Sequence, residues 1–138
     1  MADAVFQKLV DDADLSNLFV IDSAGTSSWH VGEPAHNGTR RVLTDHDIKY
    51  SGRSRQLKIG DLAHSRSYII AMDQNNIRDI RANFGDHQRL YRLLDFAKQS
   101  EVKDVPDPYY SGNFEYVYQL VMAGCEGLLA MIREQEGI

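Results

Sequence analysis

Apolar and polar positions along the chain follow two periodicities that predict helices and strands in alternation. Apolar residues recur at helical spacing from Val5 to Ala13, and a longer stripe of the same period runs from Phe114 to Ile132. Thr39 to His46 is predicted as a short helix. Asp73 is predicted as the N-cap of a further helix that ends near Asn83.

Three short apolar runs between these helices are predicted as buried strands, namely Leu18–Ile21, Tyr68–Met72 and Leu90–Leu94. The stretch from Gly25 to Asn37 is rich in Ser, Gly and His and is predicted as a loop. Helices that alternate with strands indicate an α/β domain with a parallel sheet. Active sites in such sheets lie beyond the carboxyl ends of the strands, so the loops after these three strands are the ones to search.

Composition predicts one globular domain over residues 1–138, with 43% hydrophobic residues. The net charge of −5 and the short basic patches argue against a nucleic-acid partner. The longest apolar runs are too short to cross a membrane, and no secretory signal opens the chain. We therefore expect a cytoplasmic protein with no membrane partner.

The single cysteine, Cys125, lies on the apolar stripe of the last predicted helix. This position predicts that Cys125 packs as a small hydrophobic residue and does not act as a nucleophile. One cysteine also excludes an internal disulfide and a thiol-rich zinc site. The five histidines show no metal-ligand spacing, so no metal is expected.

Two loops carry candidate chemistry. The segment from Asp104 to Gly112 contains two carboxylates and two tyrosines, and its composition is that of a rigid turn leading into the last helix. Pro108 favours an extended backbone at Asp107, and the adjacent rings could limit the solvation of its carboxyl group, as suits a general acid. Trp29, in the loop of small hydroxyl residues, either forms a wall for an aromatic ligand or covers a helix end.

Taken together, three stretches closely resemble the low-molecular-weight protein tyrosine phosphatase family. They are residues 22–32 (D-S-A-G-T-S-S-W-H-V-G), Ser54-Arg55-Gln56 with Ala71-Met72-Asp73, and residues 107–110 (D-P-Y-Y). The resemblance implies a flavodoxin-like, doubly wound α/β domain of three layers. It also implies hydrolysis of phosphotyrosine in proteins, or of small aryl phosphates, through a phosphocysteine intermediate and without a metal or other cofactor.

The resemblance also assigns roles to particular residues. Asp107 corresponds to the general acid that protonates the leaving phenolate and then serves as the base for the attacking water. Trp29, Tyr109 and Tyr110 correspond to the walls that hold the phosphotyrosine ring. Ser23 corresponds to a hydroxyl that supports the phosphate-binding loop.

One defining feature of the family does not occur in this sequence. The family has an N-terminal strand that runs into Cys-x5-Arg-Ser-Pro, whereas residues 1–6 here resemble the helix that follows this loop. No residue matches the nucleophilic cysteine or the phosphate-binding arginine. We therefore expect a domain that is truncated at its N-terminus relative to the family, lacks the first strand and is inactive as it stands.

Other interpretations remain open from the sequence. A non-catalytic relative could use Trp29, Tyr109 and Tyr110 to bind phosphorylated or aromatic ligands. Arsenate reductases share the fold, but they relay oxidation through further cysteines that this chain does not have. A homodimer or a swapped assembly could cover sheet edges left without a strand.

Overall fold

The computed structural model describes residues 1–26, 32, 35–50, 52–64, 66–108 and 112–138. Within these ranges the helices and strands are α1 (Ala2–Asp12), α2 (Asn37–Asp45), α3 (Ile59–Leu62), β1 (Ile69–Ala71), α4 (Gln74–Phe84), β2 (Leu90–Arg92) and α5 (Phe114–Glu136). Short 3-10 turns occur at Ser16–Leu18 and Leu93–Phe96. The predicted alternation of helices and strands is confirmed from β1 to α5.

The strands β1 and β2 pair in parallel, with Ile70 opposite Tyr91. Both strands are shorter than predicted. After Arg92 the chain turns into a 3-10 helix, and the Arg92 guanidinium bonds to the Asp95 carboxylate at 3.2 Å. This bond between residues three positions apart suits a turn, so the apolar pair Leu93 and Leu94 enters the core from a turn and not from a strand.

The predicted strand over Leu18–Ile21 is wrong. Leu18 ends a 3-10 turn, and Phe19 has an extended backbone but belongs to neither strand of the sheet. The Val20 side chain is 101% exposed. A strand needs a neighbouring strand for its hydrogen bonds, and in the described part of the chain β1 pairs with β2 alone.

The core is centred on α5, whose predicted apolar stripe is confirmed. This helix packs against α1 and against the turn at Leu93–Phe96. The backbones approach so closely that a β-carbon built on Gly127 would lie 2.0 Å from the carbonyl oxygen of Phe96. Cys125 is buried in this core, as its place in the stripe predicted.

The helix α4 begins directly beyond the carboxyl end of β1, and its predicted N-cap at Asp73 is confirmed. The Asp73 carboxylate accepts a hydrogen bond from the Asn76 backbone at 2.8 Å, and the Asn76 side chain accepts one from the Asp73 backbone at 3.3 Å. This reciprocal arrangement satisfies amides that the first turn of a helix leaves unpaired. It fixes the start of α4 at the edge where an active site is expected.

Candidate active site

The first two motif stretches lie side by side. The Gly25 amide donates to the Arg55 carbonyl at 2.8 Å, and the Leu57 amide donates to the Gly25 carbonyl at 2.8 Å. The Arg55 guanidinium contacts Asp22 at 3.1 Å and Asp61 at 3.0 Å. The hydrogen bonds from Arg55, followed by the one from the Lys58 amide, lower the pKa of Asp61. Arg55 therefore links the loop after residue 21 to the segment that leads into α3.

A cluster of polar side chains lies at the N-terminus of α1. The Asp3 carboxylate accepts hydrogen bonds from the Ser23 hydroxyl at 3.0 Å and from the Tyr50 hydroxyl at 2.8 Å. Burial alone would raise the pKa of Asp3, but the terminal ammonium group, these two hydroxyls and the Ala4 amide together lower the pKa below its usual value. Asp3 is thus held as a carboxylate that ties two loops to the start of α1.

The loop that carries Asp107 is attached to the carboxyl edge of the sheet. The Val105 amide donates to the Met72 carbonyl at 2.9 Å. One oxygen of Asp104 accepts from the Gln74 amide at 3.0 Å and from the Arg92 guanidinium at 3.2 Å. Asp107 itself is exposed. The structure therefore places the exposed residue Asp107 two positions beyond a bond that fixes the loop next to the end of β1.

The helix α4 connects the two halves of this region. Its first residue, Gln74, bonds to Asp104, and its second turn carries Asp79, whose carboxylate accepts a hydrogen bond from the Thr26 hydroxyl at 3.3 Å. The loop after residue 21 and the loop before α5 are thus both attached to the helix that follows β1. This is the arrangement that a parallel sheet predicts for an active site.

The predicted site residues fall partly in described segments and partly outside them, and their roles stay predictions. Ser23 and Asp107 lie in described segments, whereas Trp29, Tyr109 and Tyr110 lie outside the described residues. The sequence reasoning did not single out the residues that anchor the loops, namely Asp3, Tyr50, Arg92 and Asp104. For Asp104 a local signal existed, because it is the second carboxylate of the proline-containing loop in which Asp107 was found.

Cys125 is not a reactive thiol in this structure. Its Sγ lies 3.8 Å from the carbonyl oxygen of Ala2, inside the contact between α5 and α1. Burial raises the pKa of Cys125 to about 12, so its nucleophilic thiolate form is not populated near neutral pH. The thiol is a packing group, in agreement with the prediction.

Within the described ranges, no group of three or more potential metal ligands comes together. In the same ranges, no helix combines the length and the apolar character needed to span a membrane.

Comparison with known proteins identifies the family. The family model for low molecular weight phosphotyrosine protein phosphatases matches residues 1–137. The chain belongs to this family. It is 44% identical to the low molecular weight protein-tyrosine-phosphatase YfkJ of Bacillus subtilis over 139 aligned positions, which cover 99% of this chain and 88% of the relative. It is 38% identical to PtpA of Staphylococcus aureus, covering 96% of this chain and 84% of that protein.

Solved structures agree with this assignment. The crystal structure of Bacillus subtilis YfkJ superposes with a TM-score of 0.91 at 43% identity and covers 97% of this chain and 86% of that one. A protein tyrosine phosphatase from Entamoeba histolytica superposes with a TM-score of 0.86 at 30% identity, over 99% of this chain and 88% of that one. The fold is therefore the flavodoxin-like α/β fold of the family. The expected absence of a first strand and a cysteine loop stays a prediction.

Proposed function

We propose that this chain supplies the general acid and the ring-binding residues of a phosphatase that acts on phosphotyrosine in proteins or on small aryl phosphates. A cysteine thiolate attacks phosphorus, and the bond from phosphorus to the phenolic oxygen breaks. Asp107 donates its proton to that oxygen, so the phenol leaves without a charge. Asp107 then accepts a proton from the water that attacks the phosphocysteine, which breaks the sulfur–phosphorus bond and releases phosphate and the thiolate.

The position of the Asp107 loop is the observation that carries this proposal. The loop is fixed by the bond from Val105 to Met72, the residue that follows β1, and Asp107 is exposed two residues further on. A general acid that must reach a bound substrate needs a loop that is firmly attached to the fold and a side chain that is accessible. In this proposal the substrate ring is held by Trp29 from one loop and by Tyr109 and Tyr110 from the other, as the resemblance implies.

The proposal leaves the 138-residue chain without hydrolytic activity of its own. The reaction needs a thiolate beside the phosphate, and the only cysteine in the sequence is Cys125. That thiol is enclosed between α5 and α1, and burial raises its pKa to about 12. No arginine follows it at the spacing of Cys-x5-Arg, the pattern in which backbone amides and a guanidinium hold the phosphate oxygens.

The test compares this chain with the same chain preceded by a strand and a Cys-x5-Arg-Ser-Pro loop. We expect no hydrolysis of p-nitrophenyl phosphate by the chain alone and clear hydrolysis by the extended chain. In the extended chain, Asp107→Asn should lower kcat/KM by about a hundredfold or more, because a general acid contributes factors of about this size. Cys125→Ala should leave kcat/KM unchanged.

The controls separate the proposal from its alternative. An extension with serine in place of the loop cysteine should remain inactive. Hydrolysis by the chain alone would contradict the proposal. An extended chain that is folded and inactive, yet binds a phosphotyrosine peptide more tightly than the unphosphorylated peptide, would support the non-catalytic binding function instead.

A further inference from the structure

The geometry of the loop before α5 points to Asp104 and Arg92 as positioning residues for the Asp107 acid, an inference that rests on the proposed function. Asp104 and Asp107 lie three residues apart in one segment. One oxygen of Asp104 bonds to two separate elements of the fold. Asp104 therefore anchors the segment that carries Asp107, the acid of the proposed function.

The anchor has three bonds. The Asp104 oxygen accepts from the Gln74 amide at the start of α4, and a carboxylate at a helix N-terminus is favoured by the helix dipole. The same oxygen accepts from the Arg92 guanidinium at the end of β2, at 3.2 Å. Val105 then donates its amide to the Met72 carbonyl at the end of β1. Residues 104 and 105 are thus bonded to β2, to α4 and to Met72, the residue that follows β1.

Arg92 lies between two carboxylates, and only one of them belongs to the loop that carries Asp107. Its side chain is 21% exposed, and its guanidinium bonds to Asp95 as well as to Asp104. The bond to Asp95 joins two residues at the turn after β2, whereas the bond to Asp104 connects Arg92 to the loop that carries Asp107. Asp95 therefore offers a matched control, because Asp95→Asn removes an ion pair from the same guanidinium without removing any bond of the loop.

The reaction makes the position of this loop important. The Asp107 proton must reach the phenolic oxygen as the phosphorus–oxygen bond breaks, and small displacements of a catalytic group lower the rate strongly. A loop released at Asp104 still carries the acid but spends less time at the productive distance. The loss should be largest for a substrate whose leaving group depends most on protonation.

The first arm of the test uses the 138-residue chain as it is and measures amide hydrogen exchange. In Asp104→Ala we expect the Val105 amide to exchange about tenfold faster, from the loss of a charge-assisted hydrogen bond and an ion pair. Asp104→Asn, which keeps an acceptor for the Gln74 amide, should give a smaller increase. Asp95→Asn should leave Val105 unchanged. An unchanged Val105 amide in Asp104→Ala would overturn the inference.

The second arm measures kcat/KM in the extended chain for phenyl phosphate and for p-nitrophenyl phosphate. Phenolate is the poorer leaving group, because its charge is not delocalised onto a nitro group. Asp104→Ala and Arg92→Gln should lower kcat/KM about tenfold for phenyl phosphate and less for p-nitrophenyl phosphate. Asp95→Asn should change neither value. Equal losses on both substrates, or no loss, would show that the residues do not position the acid.

The two arms also separate this inference from the function on which it rests. An extended parent chain that is inactive overturns the proposed function and with it the positioning role, whatever the exchange data show. An active parent chain with a mobile loop in Asp104→Ala and a loss that depends on the leaving group supports both.

Discussion

At the scale of single residues, the chemistry depends on which side chains are exposed. Cys125 is 1% exposed and lies beneath α1, whereas Asp107 is exposed on an anchored loop. The more nucleophilic residue type is therefore the inert one here, and the carboxyl group is the accessible one. Burial decides this difference, because it disfavours the charged thiolate.

Thiol labelling tests the burial of Cys125. Near pH 8, the folded chain should react with a thiol reagent at least about a hundredfold more slowly than the urea-unfolded chain, since the buried group with its raised pKa forms little thiolate. The measurement is the labelling rate from mass spectrometry with and without urea. Similar rates in the two states would contradict the burial of this thiol.

The Asp3 cluster predicts a defined pH dependence of stability. Tyr50→Phe removes one of the hydroxyls that lower the pKa of Asp3 and should cost about 1 kcal/mol at pH 7. A carboxyl group with a lowered pKa stabilises the fold above its unfolded value of about 3.9, and this stabilisation disappears as the pH falls through the folded value. The difference between variant and parent should therefore shrink below about pH 4.

Urea titrations at pH 7 and pH 3 measure this difference. Tyr116→Phe, on an exposed face of α5, is the control and should change the free energy of unfolding little at either pH. A Tyr50→Phe difference that is equal at both pH values would show that the bond to Asp3 carboxylate is not its cause.

Features of the site that depend on neighbouring residues could be predicted from the sequence, whereas contacts between distant residues could not. Proline and aromatic neighbours within a few positions marked Asp107, whereas Ser23 was assigned only by the resemblance to the family. The partnership of Tyr50 with Asp3 spans 47 positions and has no local signature. The roles of Asp107 and Ser23 stay predictions, and the contacts that hold the loops in place could be found only from the structure.

At the scale of elements, the predicted helices match the structure more closely than the predicted strands do. The hydrogen bonds of a helix are local, so the periodicity of residues 114–132 and the cap at Asp73 were enough to predict α5 and α4. A strand depends on its neighbours. The apolar run over Leu18–Ile21 has suitable residues, yet it joins no ladder in the described structure.

The contact of α5 with the turn at Leu93–Phe96 predicts a severe effect at Gly127. Gly127→Ala places a β-carbon 2.0 Å from the Phe96 carbonyl oxygen, a backbone atom that cannot rotate away. The overpacking should exceed the helix propensity gained by alanine, and we expect a loss of about 2 kcal/mol in the free energy of unfolding. Urea unfolding followed by circular dichroism measures it.

Gly60→Ala is the control for this substitution. Gly60 lies in α3, and a β-carbon there meets no atom within 4 Å. Its stability should be unchanged or slightly higher. A Gly127→Ala chain as stable as the parent would mean that α5 and the turn are less closely packed than the structure shows.

At the scale of the whole molecule, the described sheet is small for the helices that surround it. The strand β1 has three residues and pairs with β2 alone among the described residues. Two apolar residues that follow α1 in the sequence, Leu18 and Val20, are 62% and 101% exposed. Parallel sheets are normally buried, because helices cover their faces and strands cover their edges. Among the described residues, β1 therefore has one edge on which no strand pairs, and we expect that edge to accept a further strand.

The chain extended by a strand and a Cys-x5-Arg-Ser-Pro loop should consequently be more stable as well as active. Pairing along the edge of β1 and covering apolar surface should add about 2 kcal/mol or more to the free energy of unfolding. An extension of equal length made of glycine and serine is the matched control and should add nothing, because it offers no apolar side chains. Urea unfolding of the three chains decides the point. Equal stability of the two extended chains would mean that the edge of β1 accepts no further strand, and the source of the thiolate would then have to be sought elsewhere.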